Sequence, residues 1–423
     1  MKIIFTLLLS FISAITFGQD KDIPQTLNKL YNGKQFFKLR SELDKEISMI
    51  DEIQKEYFQS LVFSIFNRPA ESNTLIDKLL NNNKGSLTDS MIVELYKSKL
   101  VNSVNLFLYD DALKTTEIIL SQYKYLIEKE HFEDFENTNQ IWKASAGLSP
   151  QTVTITGDTK LTVKKDMAGL TNVKVSINGN EEEFVFDTGA NFSTITNTFA
   201  KKLGLKFLKG SLDVGTTTDM KVKSDLAYAD SLSIGKMNFR NVLFLVFPDE
   251  ALSFGNGVYV INGVIGFPVI KEMKEISLSE NEIFIPLIRD KSSNRNLALD
   301  GFLPLIETIV NDDTLVFSFD TGAKATMMYQ PYYEANKSDI ESKYEIGDIR
   351  IGGAGGEVTL KGFKLNDMNF KIGSGNAVLN DVVLLSTQIK DDDEYLYGNL
   401  GGDFINKFKK MIIDFEDMFV EFE

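Results

Sequence analysis

The feature that most constrains this chain is an internal duplication that runs without a gap. "EEFVFDTGANFSTIT" (Glu182–Thr196) and "TLVFSFDTGAKATMM" (Thr314–Met328) superpose at an offset of 133 residues. Asp187 then meets Asp320, Asn178 meets Asn311, Phe184 meets Phe317 and Phe186 meets Phe319, while Val173, Ile177 and Val185 meet Ile306, Val310 and Ser318. The likeness continues downstream. "SLSIGKMNFRNVLFLV" from Ser231 resembles "NFKIGSGNAVLNDVVLL" from Asn369, and "GVIG" (Gly263–Gly266) echoes "GNLG" (Gly398–Gly401). The final glycines lie 79 and 81 residues after their aspartates, and each is followed by a short amphipathic turn and a pair of strand-like runs. Short alternating and β-branched segments of this kind predict strands. Two copies predict two similar lobes, each presenting one strand that ends in a carboxylate.

A carboxylate at the end of an apolar strand is costly to desolvate, and the twin suggests its use. Two carboxylates a few ångströms apart cannot both ionise readily. One then serves as a base toward water and the other as an acid toward an amide; such a pair titrates as a unit, and neither role is assigned to either residue on this ground. Little else in the chain competes for chemistry. It has no cysteine and a single histidine, His131, in the charged helix-like stretch "IEKEHFEDFEN". Disulfides, thiolate nucleophiles and thiolate metal sites are therefore excluded. The net charge of −15 argues against nucleic acid or an anionic membrane as partner. No cofactor or metal is implied. The acidic run "KDDDEY" lacks the ligand spacing of a calcium loop.

Over roughly Thr152–Glu423 the duplicated Asp-Thr-Gly-Ala pattern resembles the retropepsin-like aspartic proteases. Each half is similar to one retroviral-type subunit, with both halves on one chain as in pepsin-like enzymes, so a homodimer is not required for the site. The resemblance implies an all-β, two-lobed acid-protease fold, catalysis by Asp187 and Asp320, and a polypeptide substrate. It implies that Thr188 and Thr321 hydrogen-bond across to the opposite loop, and that Gly266 and Gly401 pack behind the aspartate loops. Gly189 and Gly322 allow a close backbone approach that a Cβ would block. Ala190 and Ala323 are similar to the retroviral rather than the pepsin-like pattern. "IRIGGAGGEVT" (Ile349–Thr359) resembles a flap, with Gly352, Gly353, Gly355 and Gly356 at a mobile tip that would pair with extended peptide. The matching first-lobe stretch, "LDVGTTTDMKV", offers only Gly215 and Thr216, so an asymmetric pair of flaps is expected. Lys324 would favour the ionised dyad if it faced it, and do nothing if it pointed outward. Phe267-Pro268 stand where the second half has Gly402-Asp403, which alters either a subsite or lobe packing.

From Asp22 to Ala146 the pattern is different. Apolar residues recur at helical spacing (Ile53, Tyr57, Leu61, Ile65), and only Gly33 and Gly85 interrupt it. "NGKQFFKLRSELDKEI", "FNRPAESNTLIDKLL" and "LYDDALKTTEIIL" recur at about 35 to 40 residues, a spacing seen in helix-pair arrays such as tetratricopeptide repeats. A partner-binding platform and a packing or pro-domain are both open readings, and removal of Asp22–Ala146 is expected to leave the lobes folded. "MKIIFTLLLSFISAITFGQ" reads as a secretory signal, which predicts a periplasmic or secreted protein without a stable membrane anchor. The expected class is thus a multidomain α+β protein: signal 1–18, an all-α, repeat-like domain 22–146, then an all-β region with lobes 152–288 and 297–423. The leading expectation is an exported aspartic endopeptidase. The alternative is a weak or inactive protease-fold binding protein whose helical domain engages a protein.

Overall fold

The computed structural model describes residues 22–215, 221–255, 257–289, 294–353, 356–388 and 395–423. The signal reading therefore lies outside the described residues, as do Thr216 and Gly355. An N-terminal helical region, residues 23–145, precedes a β-rich region.

Seven α-helices make up the first region among the described residues: Ile23–Asn32, Phe36–Glu46, Glu52–Ile65, Pro69–Asn82, Asp89–Asn105, Tyr109–Gln122 and Lys129–Ser145. The weak sequence repeat has its physical origin in the tight links inside three helix pairs. Lys34, Asn67 and Phe107 each take a left-handed φ, at 49°, 53° and 60°. At each link the three N–H groups return to the preceding helix in the same pattern, as in Phe66 N to Val62 O, Asn67 N to Ser64 O and Arg68 N to Phe63 O. Leu27, Leu39, Leu61, Ile76, Leu79 and Leu95 form the fully buried seam between the pairs.

In the β region each half forms a hairpin in the same register. Val173 pairs with Phe184 and Ile177 with Asn180; Ile306 pairs with Phe317 and Val310 with Asp313. The aligned asparagines are the first residues of the two-residue turns. Asn178 and Gly179 take φ of 49° and 87°, and Asn311 and Asp312 take 48° and 79°. Positive φ at both central residues is what a tight hairpin requires. Each hairpin sits inside a larger sheet, of nine strands in the first half and ten in the second among the described residues. In both, the strand leading to the aspartate is flanked by a parallel strand that is followed directly by a glycine: Gly263–Ile265 beside Asn180–Phe186, and Gly398–Leu400 beside Asp313–Phe319.

A third, five-stranded sheet joins the halves. Strands Glu275–Ser279 and Lys410–Asp414, equivalent in the duplication, pair antiparallel at its centre, from Glu275 opposite Asp414 to Ser279 opposite Lys410. Thr159–Thr162 and Glu282–Ile285 extend it on one side and Phe419–Phe422 on the other. Phe267 is fully buried and lies edge-on to Phe415 of the other half, with ring centroids 5.5 Å apart. The departure at Phe267 is thus a lobe-packing feature.

The helical region does not stand apart. Leu100, Val104, Ile141 and Trp142 share one apolar cluster with Leu212, Leu226, Leu243 and Leu245 of the first half. Lys271, 8% exposed, reaches from the first half to donate to Asn105 O at 2.9 Å. Asn67 Nδ2 donates to Phe415 O, and Lys34 forms an ion pair with Asp300, both in the second half. Cutting the chain at residue 146 would uncover this shared core, so the expectation that the lobes fold alone does not fit the packing. Among the described residues no helix is long and apolar enough to cross a membrane.

Candidate active site

The two strand ends bring their loops together. Asp187 N donates to Ile265 O at 3.1 Å and Asp320 N to Leu400 O at 3.3 Å, so each loop leaves its sheet in the same direction. Behind each loop the following glycine is pressed against backbone. A Cβ on Gly266 would lie 2.5 Å from the carbonyl carbon of Phe192, and one on Gly401 would lie 2.5 Å from that of Ala325. Their N–H groups donate to Ser193 Oγ and Thr326 Oγ1, both at 3.1 Å, two hydroxyls that the duplication also places in register.

The loops then lock reciprocally. Thr188 N donates to Thr321 Oγ1 and Thr321 N donates to Thr188 Oγ1, each at 3.1 Å. Each hydroxyl also donates across the pseudo-twofold, Thr188 Oγ1 to Phe319 O at 3.3 Å and Thr321 Oγ1 to Phe186 O at 3.5 Å. Thr188 is fully buried. Water cannot replace these bonds, so breaking them leaves buried donors unmatched.

This interlock holds Asp187 and Asp320 side by side. The two carboxyl groups lie close enough for the charge of Asp320 to act on Asp187. Each glycine lies under the opposite aspartate: a Cβ on Gly189 would fall 2.6 Å from Asp320 Cγ, and one on Gly322 would fall 2.5 Å from Asp187 Cγ. Gly189 N donates to Asp187 Oδ1 at 2.8 Å, and Gly322 N and Ala323 N donate to Asp320 Oδ1 at 2.7 and 3.1 Å. Burial first, and the Asp320 charge second, raise Asp187 well above the usual carboxylate range. A carboxylic acid beside a second carboxyl group, with one proton between them, can pass a proton to and from water.

Residues 173–269 match the family model described as Aspartyl protease, a stretch that contains Asp187, its hairpin and Gly266. This segment is an aspartyl protease family domain. No curated protein matches the chain. The protease domain therefore coincides with the first copy of the duplication, and the second copy, with Asp320, repeats its strand order around the loop.

The remaining predicted residues are placed as follows. Ala190 O accepts from Phe267 N at 2.8 Å and Ala323 O from Gly402 N at 2.9 Å, tying each aspartate loop to its short helix. Gly352 and Gly353 lie in strand Gly347–Gly353, paired with Gly356–Leu365 so that Gly353 faces Gly356 across the tip. Gly215 ends strand Lys206–Gly215 and faces Lys221. The first hairpin is tied to helix Lys129–Ser145. Asn137 Nδ2 donates to Asp213 O at 2.5 Å, and Asp213 N donates to Asn137 Oδ1 at 2.9 Å. The second is held at its base by Ile349 and Ile351 packing with Leu385, Val383 and Met327. Lys324 is exposed.

Two residues at the dyad were not singled out from sequence. Asn399 Nδ2 donates to Asp320 Oδ2 at 3.5 Å, and Ser318 Oγ donates to Asn399 Oδ1 at 2.8 Å. The signal was present in "GNLG" against "GVIG": a polar residue inside one copy of an otherwise apolar strand.

Proposed function

We propose that this protein is an exported aspartic endopeptidase that hydrolyses peptide bonds with a water activated between Asp187 and Asp320. The observation that carries the proposal is the reciprocal Thr188–Thr321 interlock, which holds two carboxyl groups in contact over two glycines too close to their partners to carry a side chain. A binding protein has no use for a half-buried, repelling carboxylate pair, which costs stability. The aspartyl protease family match over the first copy supports the same reading. The two hairpins, one on either half, are suited to receive an extended polypeptide by strand addition. Export rests on the character of the first nineteen residues alone.

The test is cleavage of a peptide library by the full mature chain, compared with Asp187→Asn and Asp320→Asn. Each variant should lose at least about three orders of magnitude in turnover, because general acid–base assistance of that size disappears with either carboxyl group. Cleavage at the wild-type rate by either variant would refute the dyad. Circular dichroism identical to wild type establishes that the loss is chemical.

A further inference from the structure

The pseudo-twofold symmetry of the dyad is broken at one place. In the first half the strand entering Asp187 and the strand beside it meet at Val185 and Val264, which are paired in register. The same register pair in the second half is Ser318 and Asn399. An apolar contact on one side is therefore a polar relay on the other. Ser318 Oγ donates to Asn399 Oδ1 at 2.8 Å, which fixes the amide with its N–H groups toward the dyad, and Asn399 Nδ2 donates to Asp320 Oδ2 at 3.5 Å. Ser318 is 5% exposed, so its hydroxyl has few other uses, although it also reaches Gly398 O at 3.3 Å. Asp187 has a valine where Asp320 has this donor.

We propose that Ser318 and Asn399 are positioning residues that decide which aspartate carries the shared proton, holding Asp320 as the carboxylate and leaving the proton on Asp187. The physical ground is that an amide N–H donates to an ionised oxygen more strongly than to a carbonyl-like one. The apolar pair beside Asp187 offers no equivalent donor. Other charges do not supply the bias among the described residues. Neither aspartate forms an ion pair among the described residues, the register neighbours Val185 and Val264 are apolar, and the loop cation Lys324 is exposed. The contact is long at rest; hydrogen bonds of this kind tighten when substrate is bound.

This inference rests on the endopeptidase reading and gives it a direction. A water gives one proton to Asp320 while its oxygen bonds to the scissile carbonyl carbon. The carbonyl π pair moves to oxygen, which takes the proton from Asp187, leaving a neutral diol. Collapse breaks the C–N bond: nitrogen takes the proton from Asp320, and a diol hydroxyl returns one to Asp187.

The test has two arms on the full mature chain. First, the pH profile of kcat/KM on a cleaved peptide is measured for wild type, Asn399→Val and Ser318→Val, which install the first-half residues. The acidic limb should move up by about one pH unit in Asn399→Val and by less in Ser318→Val. A uniform loss at every pH, or superimposable profiles, would overturn the assignment. Second, the aspartate carboxyl carbons are labelled with carbon-13, assigned with the two Asp→Asn variants, and titrated. In the singly protonated window Asp320 should resonate as carboxylate and Asp187 as acid. The reverse order, or equal sharing, overturns the proposal even if no peptide substrate is found. The endopeptidase reading fails separately, by wild type cleaving no peptide or by the Asp→Asn variants remaining active.

Discussion

Replacing Gly322 with alanine is the sharpest perturbation of the dyad, because the added atom has one place to go. Its Cβ would lie 2.5 Å from Asp187 Cγ and 2.6 Å from both carboxylate oxygens, whereas ordinary contact begins at 3.4 Å. The Asp187 carboxyl group must therefore retreat by about 1 Å. It cannot do so freely, since Gly189 N holds Oδ1 at 2.8 Å and the loop behind is locked by Thr188. A misplacement of about 1 Å in a reacting group costs roughly a hundredfold in rate, about 2.7 kcal/mol in the barrier. Gly189→Ala should behave alike, its Cβ falling 2.6 Å from Asp320 Cγ. The assay is kcat/KM on a cleaved peptide beside thermal unfolding, with Gly85→Ala as control, a position where a Cβ meets nothing within 4 Å. Full activity in Gly322→Ala, with unchanged melting, would refute the close apposition.

Three further outcomes are expected. Thr188→Val removes the hydroxyl that accepts from Thr321 N, leaving a half-buried donor unpaired; urea unfolding should show a loss of about 1 kcal/mol, with cleavage falling as the loops separate. Asp187 has its folded pKa raised by burial and by Asp320, so its stabilising contribution is full below the ordinary aspartate value and is lost as pH rises through the raised one. Unfolding curves over that window should accordingly show Asp187→Asn gaining on wild type with rising pH, and a constant difference would contradict the burial argument. Asp312 occupies with φ 79° the turn position that glycine holds in the first half, so Asp312→Gly should raise the melting temperature, consistent with relief of up to about 1 kcal/mol, and no change would mean the aspartate is unstrained there.

The strands leading into the aspartates were legible because the duplication keeps its offset through Val173, Asn178 and Phe184 and their mates; the turns at Asn178 and Asn311, which fix the register, came from the structure. The helical region was legible from spacing, and its repeat from links that recur even where their residues (Lys34, Asn67, Phe107) do not. What stayed hidden was long-range. Nothing in "MKEISLS" announces that it will pair with "KMIID", since both read as ordinary half-buried strands. Nor does the amphipathic pattern of Lys129–Ser145 reveal that its apolar face meets Leu212. At the dyad the missed residues are those that differ between copies. A search for likeness passes over Ser318 and Asn399 because each stands opposite a valine.

The sheet that fastens the two halves draws one central strand from the middle of the chain and the other from near its carboxyl end. Closing so large a loop is slow, and it comes after each half has found its local contacts. A nascent or nicked polypeptide lacking the later strand carries both aspartates but not the sheet that fastens their two halves together. Such fragments would be chemically mute, and cutting power would arrive only with the finished molecule, without any separate inhibitor to remove.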